Sequence, residues 1–102
     1  MSGEKPRILV IDDEETVRNF LGQALPALGF DDVVMAADAE VGVALCASGD
    51  VDLVLTDLRM PGMDGFELTR ELKLRDANLP IVVMTAYTSG VALYLRCLFQ
   101  SC

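Results

Sequence analysis

The segment VDLVLTDLRMPGMDG, residues 51–65, sets an acid, Asp57, at the end of a short apolar run and follows it with proline and glycine. A continuous apolar run bounded by turn residues is typical of a strand buried in a parallel sheet. A carboxylate at the end of such a strand needs a reason, because a buried charge is costly unless it is paired. Asp57 is therefore a candidate functional residue, and its partners should follow neighbouring strands.

Four short apolar segments are predicted to be strands, and amphipathic segments separate them. This alternation predicts an α/β fold, a doubly wound parallel sheet with helices on both faces. In such sheets ligands bind beyond the carboxyl ends of the strands, where the strand order reverses. The residues that directly follow each strand therefore matter most. The predicted strands are Arg7–Ile11, Asp32–Ala36, Leu53–Thr56 and Ile81–Thr85.

Three amphipathic segments are predicted to be helices. The first ends at Gly29, the second is capped by Asp38, and the third begins at Asp64 with Glu67 completing a capping box. The second closes near Ser48-Gly49 and the third runs to about Arg75. Apolar residues at helical spacing are expected to face the sheet. They are Val17, Phe20, Leu21, Ala24, Leu25 and Leu28 in the first helix, and Val41, Ala44 and Leu45 in the second.

Acidic residues follow the first and third predicted strands. If these strands are neighbours, about 4.8 Å apart, then Asp12, Asp13 and Asp57 converge. Two carboxylates about 4 Å apart repel by roughly 4 kcal/mol at an effective dielectric near 20. A divalent cation would compensate, and Mg²⁺ accepts one or two carboxylates while keeping several waters. The structural alternative is that Asp12 and Asp13 cap the first helix.

A carboxylate beside Mg²⁺ can act as a nucleophile toward phosphorus, with the metal neutralising the phosphoryl oxygens. Thr85, after the fourth strand, could donate its hydroxyl to the phosphoryl group. The alternative for Thr85 is an ordinary β-branched strand end.

Composition narrows the function classes. The 102 residues suit one domain, and 52% of them are hydrophobic, enough for a core. The 16 acids against 8 bases give a net charge of −8, which argues against direct nucleic-acid binding and suits cations or a basic partner, with solubility alone as the alternative. The absence of histidine excludes catalysis and metal binding through histidine, leaving hard oxygen ligands. Three cysteines without paired spacing, no signal peptide and no membrane-length apolar run favour a cytoplasmic protein away from the membrane.

Three segments, ILVIDDEE (8–15), DLVLTDLRMPGMDGFEL (52–68) and LPIVVMTAY (79–87), occur in an order and spacing that resemble the receiver domain of bacterial two-component response regulators. The resemblance covers about residues 7–88, so residues 1–88 are expected to form the receiver core. It implies a flavodoxin-like receiver fold with strand order 2-1-3-4.

The same resemblance implies the site. Asp57 would be the phosphoacceptor and would bind Mg²⁺ together with Asp12, Asp13 and the backbone carbonyl of Arg59, while the Thr85 hydroxyl would sense the phosphoryl group. The phosphoryl donor would be a histidine of a partner sensor histidine kinase, and the output domain would lie outside this chain.

The chain departs from the receiver pattern after Tyr87. Receivers continue with a fourth helix, a fifth strand that ends in lysine before proline, and a fifth helix, whereas here the sequence reads TSGVALYLRCLFQSC and no lysine follows Lys73. We therefore expect residues 89–102 to be an atypical apolar C-terminal segment, with truncation or a reading-frame change as one hypothesis. The fifth strand and last helix are predicted to be missing. A bare fourth strand would favour a homodimer or higher oligomer, formed by exchange of the terminal segment.

Two function classes remain open from the sequence, and a third possibility is weaker. The first is a phosphorylatable signalling switch, which is not an enzyme beyond assisting its own phosphoryl transfer and dephosphorylation. The second is a non-phosphorylated pseudo-receiver that acts as an interaction or dimerisation module, because the lysine is missing. The third, a magnesium-dependent phosphatase with an aspartyl nucleophile, fits less well, because such enzymes usually carry a second acid at the position that Arg59 occupies.

Overall fold

The computed structural model describes residues 5–57, 62–86 and 93–97. Its sheet has the strand order β2-β1-β3-β4-β5, in which β1 to β4 are mutually parallel. This confirms the predicted order 2-1-3-4 and the doubly wound parallel sheet. The strands are β1 Arg7–Ile11, β2 Asp32–Ala36, β3 Leu53–Asp57, β4 Ile81–Ala86 and β5 Leu93–Cys97.

The three helices of the described residues are α1 Glu15–Ala27, α2 Ala39–Ala47 and α3 Gly65–Arg75. The predicted caps are confirmed. Asp38 accepts a hydrogen bond from the Val41 amide at 2.9 Å, and Asp64 and Glu67 form a reciprocal capping box. Gly29 follows α1 with a φ of +100°, a conformation that favours glycine. Short-range chemistry therefore fixes where α2 and α3 begin and where α1 ends.

The prediction that the fifth strand is missing is wrong. Residues Leu93–Cys97 form β5, which pairs antiparallel with β4, so that Thr85 lies opposite Tyr94. Only residues 87–92 connect the two strands. A parallel pair needs a crossover of about a dozen residues or more, whereas a short connection returns the chain antiparallel. The β4 edge is therefore paired with β5, and the fourth strand is not bare.

Two apolar clusters cover the two faces of the sheet. On one face Leu9 and Ile11 pack with Leu68 and Leu72 of α3, and all four are at most 1% exposed. On the other face Ile8 and Val10 pack with Leu21 and Leu25 of α1. β1 is thus buried on both faces, as its uninterrupted apolar sequence predicts. This central strand carries Asp12 to the edge of the sheet.

The predicted buried face of α1 is only partly correct. Leu21 and Leu25 are buried and Val17 packs against them, but Phe20 and Leu28 are 59% and 71% exposed. The sheet therefore contacts a narrower stripe of α1 than its apolar residues suggest, and among the strands β1 and β2 make most of the contacts with this helix.

The predicted buried face of α2 is only partly correct, because Leu45 is partly buried and packs against the core as predicted, but the other two predicted residues do not. Val41 and Ala44 are exposed, while Ala39 and Gly42 are buried and Val43 and Cys46 are partly buried. The helix is apolar almost all round, so the apolar residues alone do not define one face. What decides the orientation is Gly42, where a Cβ atom would lie 2.4 Å from Cδ1 of Ile11. Only a glycine allows α2 to approach β1 so closely.

Candidate acidic metal and phosphoryl site

The carboxyl ends of β1 and β3 bring three acids together. β1 and β3 are neighbours, with Ile11 paired to Thr56, so the residues that follow, Asp12 and Asp57, leave the sheet at the same edge. Asp12, Asp13 and Asp57 each offer a carboxylate oxygen within 4.8 Å of the other two. The convergence expected from strand order is therefore present.

Asp12 is held rigidly at this edge. It is only 3% exposed, and its amide donates to the Ala36 carbonyl at 3.1 Å, extending the β1–β2 pairing by one residue. Its Oδ1 accepts from the Glu14 amide at 2.9 Å, and its carbonyl accepts from Nη1 of Arg18 at 2.7 Å. Three of its four polar atoms are thus fixed, and the orientation of its carboxylate with them.

The raised pKa of Asp12 shows that a negative charge is unfavourable at this position. The pKa of this carboxyl is raised to about 6. Burial is the main cause, the hydrogen bond from the Glu14 amide opposes it, and the charges of Asp57, Asp13 and Glu14 add to it. A carboxylate that is desolvated and surrounded by other acids favours a cation in their midst.

The other two acids of the cluster are more accessible. Asp13 is exposed, and Asp57, the last residue of β3, is half-buried. The alternative that Asp12 or Asp13 is the N-cap of α1 is not what the structure shows, because Glu14 occupies the N-cap position. Asp12 does stabilise the turn before the helix, because its carboxylate accepts a hydrogen bond from the Glu14 amide. It therefore has a structural role as well as a place in the acidic cluster.

Two further residues, Thr85 and Arg59, were predicted to belong to the site. Thr85 directly follows Met84, the β4 residue that pairs with Asp57, so its backbone lies at the same edge of the sheet as the three acids. Arg59, whose carbonyl was predicted to bind the metal, lies outside the described residues.

Arg18 is a residue near the site that sequence reasoning missed. It lies in the second turn of α1, is half-buried, and reaches back to the Asp12 carbonyl. The signal was available, because Arg18 is the first cation after the acidic run Asp12–Glu15 and follows Glu14 by one helical turn. It was missed because a basic residue on a helix is usually solvated.

The donor set fits Mg²⁺. Three carboxylate oxygens within reach of one another are hard ligands, and two of the side chains retain access to water that could complete an octahedral shell. Across the part of the chain that the structure describes, no helix is both long and apolar enough to span a bilayer.

Comparisons with known proteins identify the family of this chain. The family model described as the response regulator receiver domain matches residues 8–98. The probable transcriptional regulator ycf27 of Porphyridium aerugineum is 39% identical over 83 residues, covering 81% of this chain and 34% of the relative. The DNA-binding transcriptional regulator NtrC of Escherichia coli K12 is 41% identical over 81 residues, covering 79% of this chain and 17% of the relative.

A solved structure resembles the fold closely. The response regulator protein TrrA of Thermotoga maritima, in complex with Mg²⁺-BeF, is 34% identical with a TM-score of 0.76, over 82% of this chain and 72% of that one. The chain spans about a third of the length of the ycf27 relative and about a sixth of the length of the NtrC relative. Receivers are signalling modules of two-component systems. From its family match, its strand order and the identity of these relatives, the chain belongs to the response regulator receiver domain family.

Proposed function

We propose that this chain is a signalling switch that is phosphorylated on Asp57. Mg²⁺ would be held by Asp12, Asp13, Asp57 and the backbone carbonyl of Arg59. The observation that supports this most strongly is the convergence of three carboxylates within 4.8 Å at the carboxyl ends of β1 and β3. A cluster of this kind in a receiver fold has a chemical use, because the cation that relieves its repulsion also binds phosphoryl oxygens.

The proposed reaction is an in-line phosphoryl transfer. A carboxylate oxygen of Asp57 attacks the phosphorus of a phosphohistidine, the P–N bond breaks, and its electron pair returns to the imidazole nitrogen. Bound Mg²⁺ supplies charge neutralisation for the transferring oxygens. Asp12, through its fixed backbone and carboxylate, orients the site, while Asp13 contributes an accessible oxygen. The Thr85 hydroxyl would donate to the phosphoryl group on Asp57 and so report its presence.

The proposed partners follow from this chemistry. The phosphoryl donor is a sensor histidine kinase, and the output domain lies outside this chain. NtrC and ycf27 carry names of transcriptional regulators, so transcription is the output we propose. Because the net charge is −8, we do not propose that this domain contacts nucleic acid directly. We propose no contact with a membrane, and we propose that the domain acts in the cytoplasm.

We further propose a homodimer or higher oligomer in which the terminal segment is exchanged between copies. In such an exchange β5 of one copy would pair with β4 of the other, keeping the antiparallel register of the single chain. Light scattering at micromolar concentration measures the mass directly. A clean monomer would contradict this part of the proposal without touching the phosphorylation site.

Acetyl phosphate with Mg²⁺ tests the phosphorylation. We expect a quick, cold intact-mass measurement to show the gain of one phosphoryl group, removable by hydroxylamine as an acyl phosphate. Asp57→Asn should abolish the gain. Asp50→Asn, an exposed acid in the loop before β3, is the matched control and should leave it unchanged.

The outcome also separates the alternative function. Phosphorylation that persists in Asp57→Asn would refute the assignment to this residue. Mg²⁺ binding without any phosphoryl gain in the unsubstituted chain would instead support a non-phosphorylated interaction module, in line with the absence of a lysine after Lys73.

A further inference from the structure

We infer that Arg18 is a positioning residue for the cation site, and that it acts by holding the main chain of Asp12 rather than by its charge. This inference rests on the proposed function, because it concerns the Mg²⁺ that this function requires. The observation behind it is the hydrogen bond from Nη1 of Arg18 to the Asp12 carbonyl, 2.7 Å long and partly buried.

The turn between β1 and α1 lacks the usual means of fixing its geometry. Glu14, at the N-cap of α1, makes no side-chain capping bond. Instead the Oδ1 atom of Asp12 accepts a hydrogen bond from the Glu14 amide, so a carboxylate of the cation site also stabilises the turn. The carboxylate therefore cannot shift toward a cation independently of the turn, and the placement of its other oxygen depends on how firmly the turn is held.

Arg18 supplies a second attachment for this turn from inside the helix. Its amide donates to the Glu14 carbonyl at 3.1 Å, which belongs to the first turn of α1, and its guanidinium reaches back to Asp12. Leu21 and Leu25 anchor α1 on the sheet in the core cluster that also contains Val10. Arg18 thus connects a helix that is packed on the sheet to the strand end that carries the acids.

The positive charge of Arg18 and its hydrogen bond to Asp12 have opposite effects on Mg²⁺ binding. A guanidinium beside a cation site repels the cation, so a purely electrostatic Arg18 would weaken Mg²⁺ binding, and its removal would strengthen binding. A positioning Arg18 has the opposite effect, since its removal frees the turn and disorders the ligands. The sign of the change in Mg²⁺ affinity therefore distinguishes the two roles.

The experiment measures Mg²⁺ affinity of the full chain by calorimetric titration. Arg18→Met removes both the bond and the charge, and we expect the dissociation constant to rise about tenfold, the low end for groups that orient metal ligands. Arg18→Lys keeps a donor and the charge and should recover part of the affinity. Arg70→Met, which removes an exposed arginine from α3, is the matched control for net charge and should change the constant by less than about twofold.

Two further measurements separate positioning from a general loss of structure. Thermal unfolding in EDTA should show Arg18→Met folded at the temperature of the titration, and if it is not, Arg18→Gln, whose shorter amide loses the bond, serves with the same expected direction. At saturating Mg²⁺ the rate of phosphorylation of Arg18→Met by acetyl phosphate should return close to that of the unsubstituted chain. A high Mg²⁺ concentration occupies even a site whose affinity for Mg²⁺ has been lowered.

Each result has a definite meaning. Arg18→Met that binds Mg²⁺ as tightly as, or more tightly than, the unsubstituted chain overturns this inference and leaves the proposed function intact. An unsubstituted chain that does not bind Mg²⁺ at all overturns the proposed function, and the inference with it.

Discussion

At the scale of single residues, Asp12 combines two properties that conflict. It is buried to 3% exposure, yet it stands in a cluster with Asp13 and Asp57. Its pKa is raised from 3.8 to about 6, so the folded chain holds the proton of this carboxyl more tightly than the unfolded chain does. The stability that Asp12 contributes in its protonated form is complete below pH 3.8 and is lost as the pH rises through about 6.

This conflict predicts that Asp12→Asn stabilises the metal-free protein. Asparagine keeps an oxygen that can accept from the Glu14 amide, and it removes a buried negative charge. At pH 8 in EDTA we expect the free energy of unfolding to rise by about 1 to 3 kcal/mol. Urea unfolding measures the change. At pH 4 the difference between the two proteins should shrink, and an equal difference at both pH values would show that charge is not its cause.

The same carboxyl predicts how Mg²⁺ binding depends on pH. Protons and Mg²⁺ compete for Asp12, whose neighbours Asp13, Glu14 and Asp57 favour the proton. With a pKa of about 6, the apparent dissociation constant should rise on the order of tenfold between pH 8 and pH 5. Calorimetric titrations across this range check it. A constant affinity between pH 8 and pH 5 would place Asp12 outside the metal's ligands.

At the scale of elements, the sequence predicts strand and helix ends better than helix faces. Caps such as Asp38 and Asp64 act within one turn, and the strand β1 reads directly from its apolar run, so both could be predicted. The buried face of α2 could not, because it depends on which residue tolerates the side chain of Ile11 on another element. Long-range contacts of this kind leave no local pattern.

The close approach of α2 to β1 predicts that Gly42→Ala is destabilising. The added methyl would meet Cδ1 of Ile11 at 2.4 Å and Cγ1 at 2.9 Å, so the helix or the strand must move. Overpacking costs about 1–3 kcal/mol, which exceeds the gain of about 1 kcal/mol that alanine brings to a helix. Thermal unfolding should therefore show a lower melting temperature.

Gly22→Ala is the matched control for this substitution. Gly22 lies inside α1, and its added methyl would meet only the flexible end of Met35, at 3.2 Å. Here the helical preference of alanine should prevail and raise stability by roughly 0.5–1 kcal/mol. If both substitutions shift stability in the same direction, crowding against Ile11 is not the determinant at Gly42.

At the scale of the whole molecule, the acidic site was predictable because topology alone creates it. Once β1 and β3 are neighbours in a parallel sheet, the residues that follow them must meet, whatever the loops do. The pairing at the β4 edge of the sheet was not predictable in the same way. The segment after Tyr87 lacks a clear period, and its pairing with β4 depends on the length of the connection rather than on its apolar pattern.

The position of β5 leads to a prediction about the molecule as a whole. A chain that ends at Ala86 keeps Asp12, Asp13 and Asp57 and the four parallel strands, but β4 loses its antiparallel neighbour. An unpaired strand with the sequence IVVMTA is a template for pairing with another chain. We expect light scattering to give a mass that grows with concentration for the shortened chain, whereas the full chain, whose β4 is paired with a β5, should keep one mass over the same range.

Circular dichroism shows whether the shortened chain remains folded, and Mg²⁺ titration shows whether the site survives. A shortened chain that is folded, binds Mg²⁺ and is monomeric would mean that β5 is dispensable for covering the sheet. Association that grows with concentration, with Mg²⁺ binding retained, would assign β5 a task separate from the acidic site. That task is to cover the edge of the sheet at β4 by antiparallel pairing.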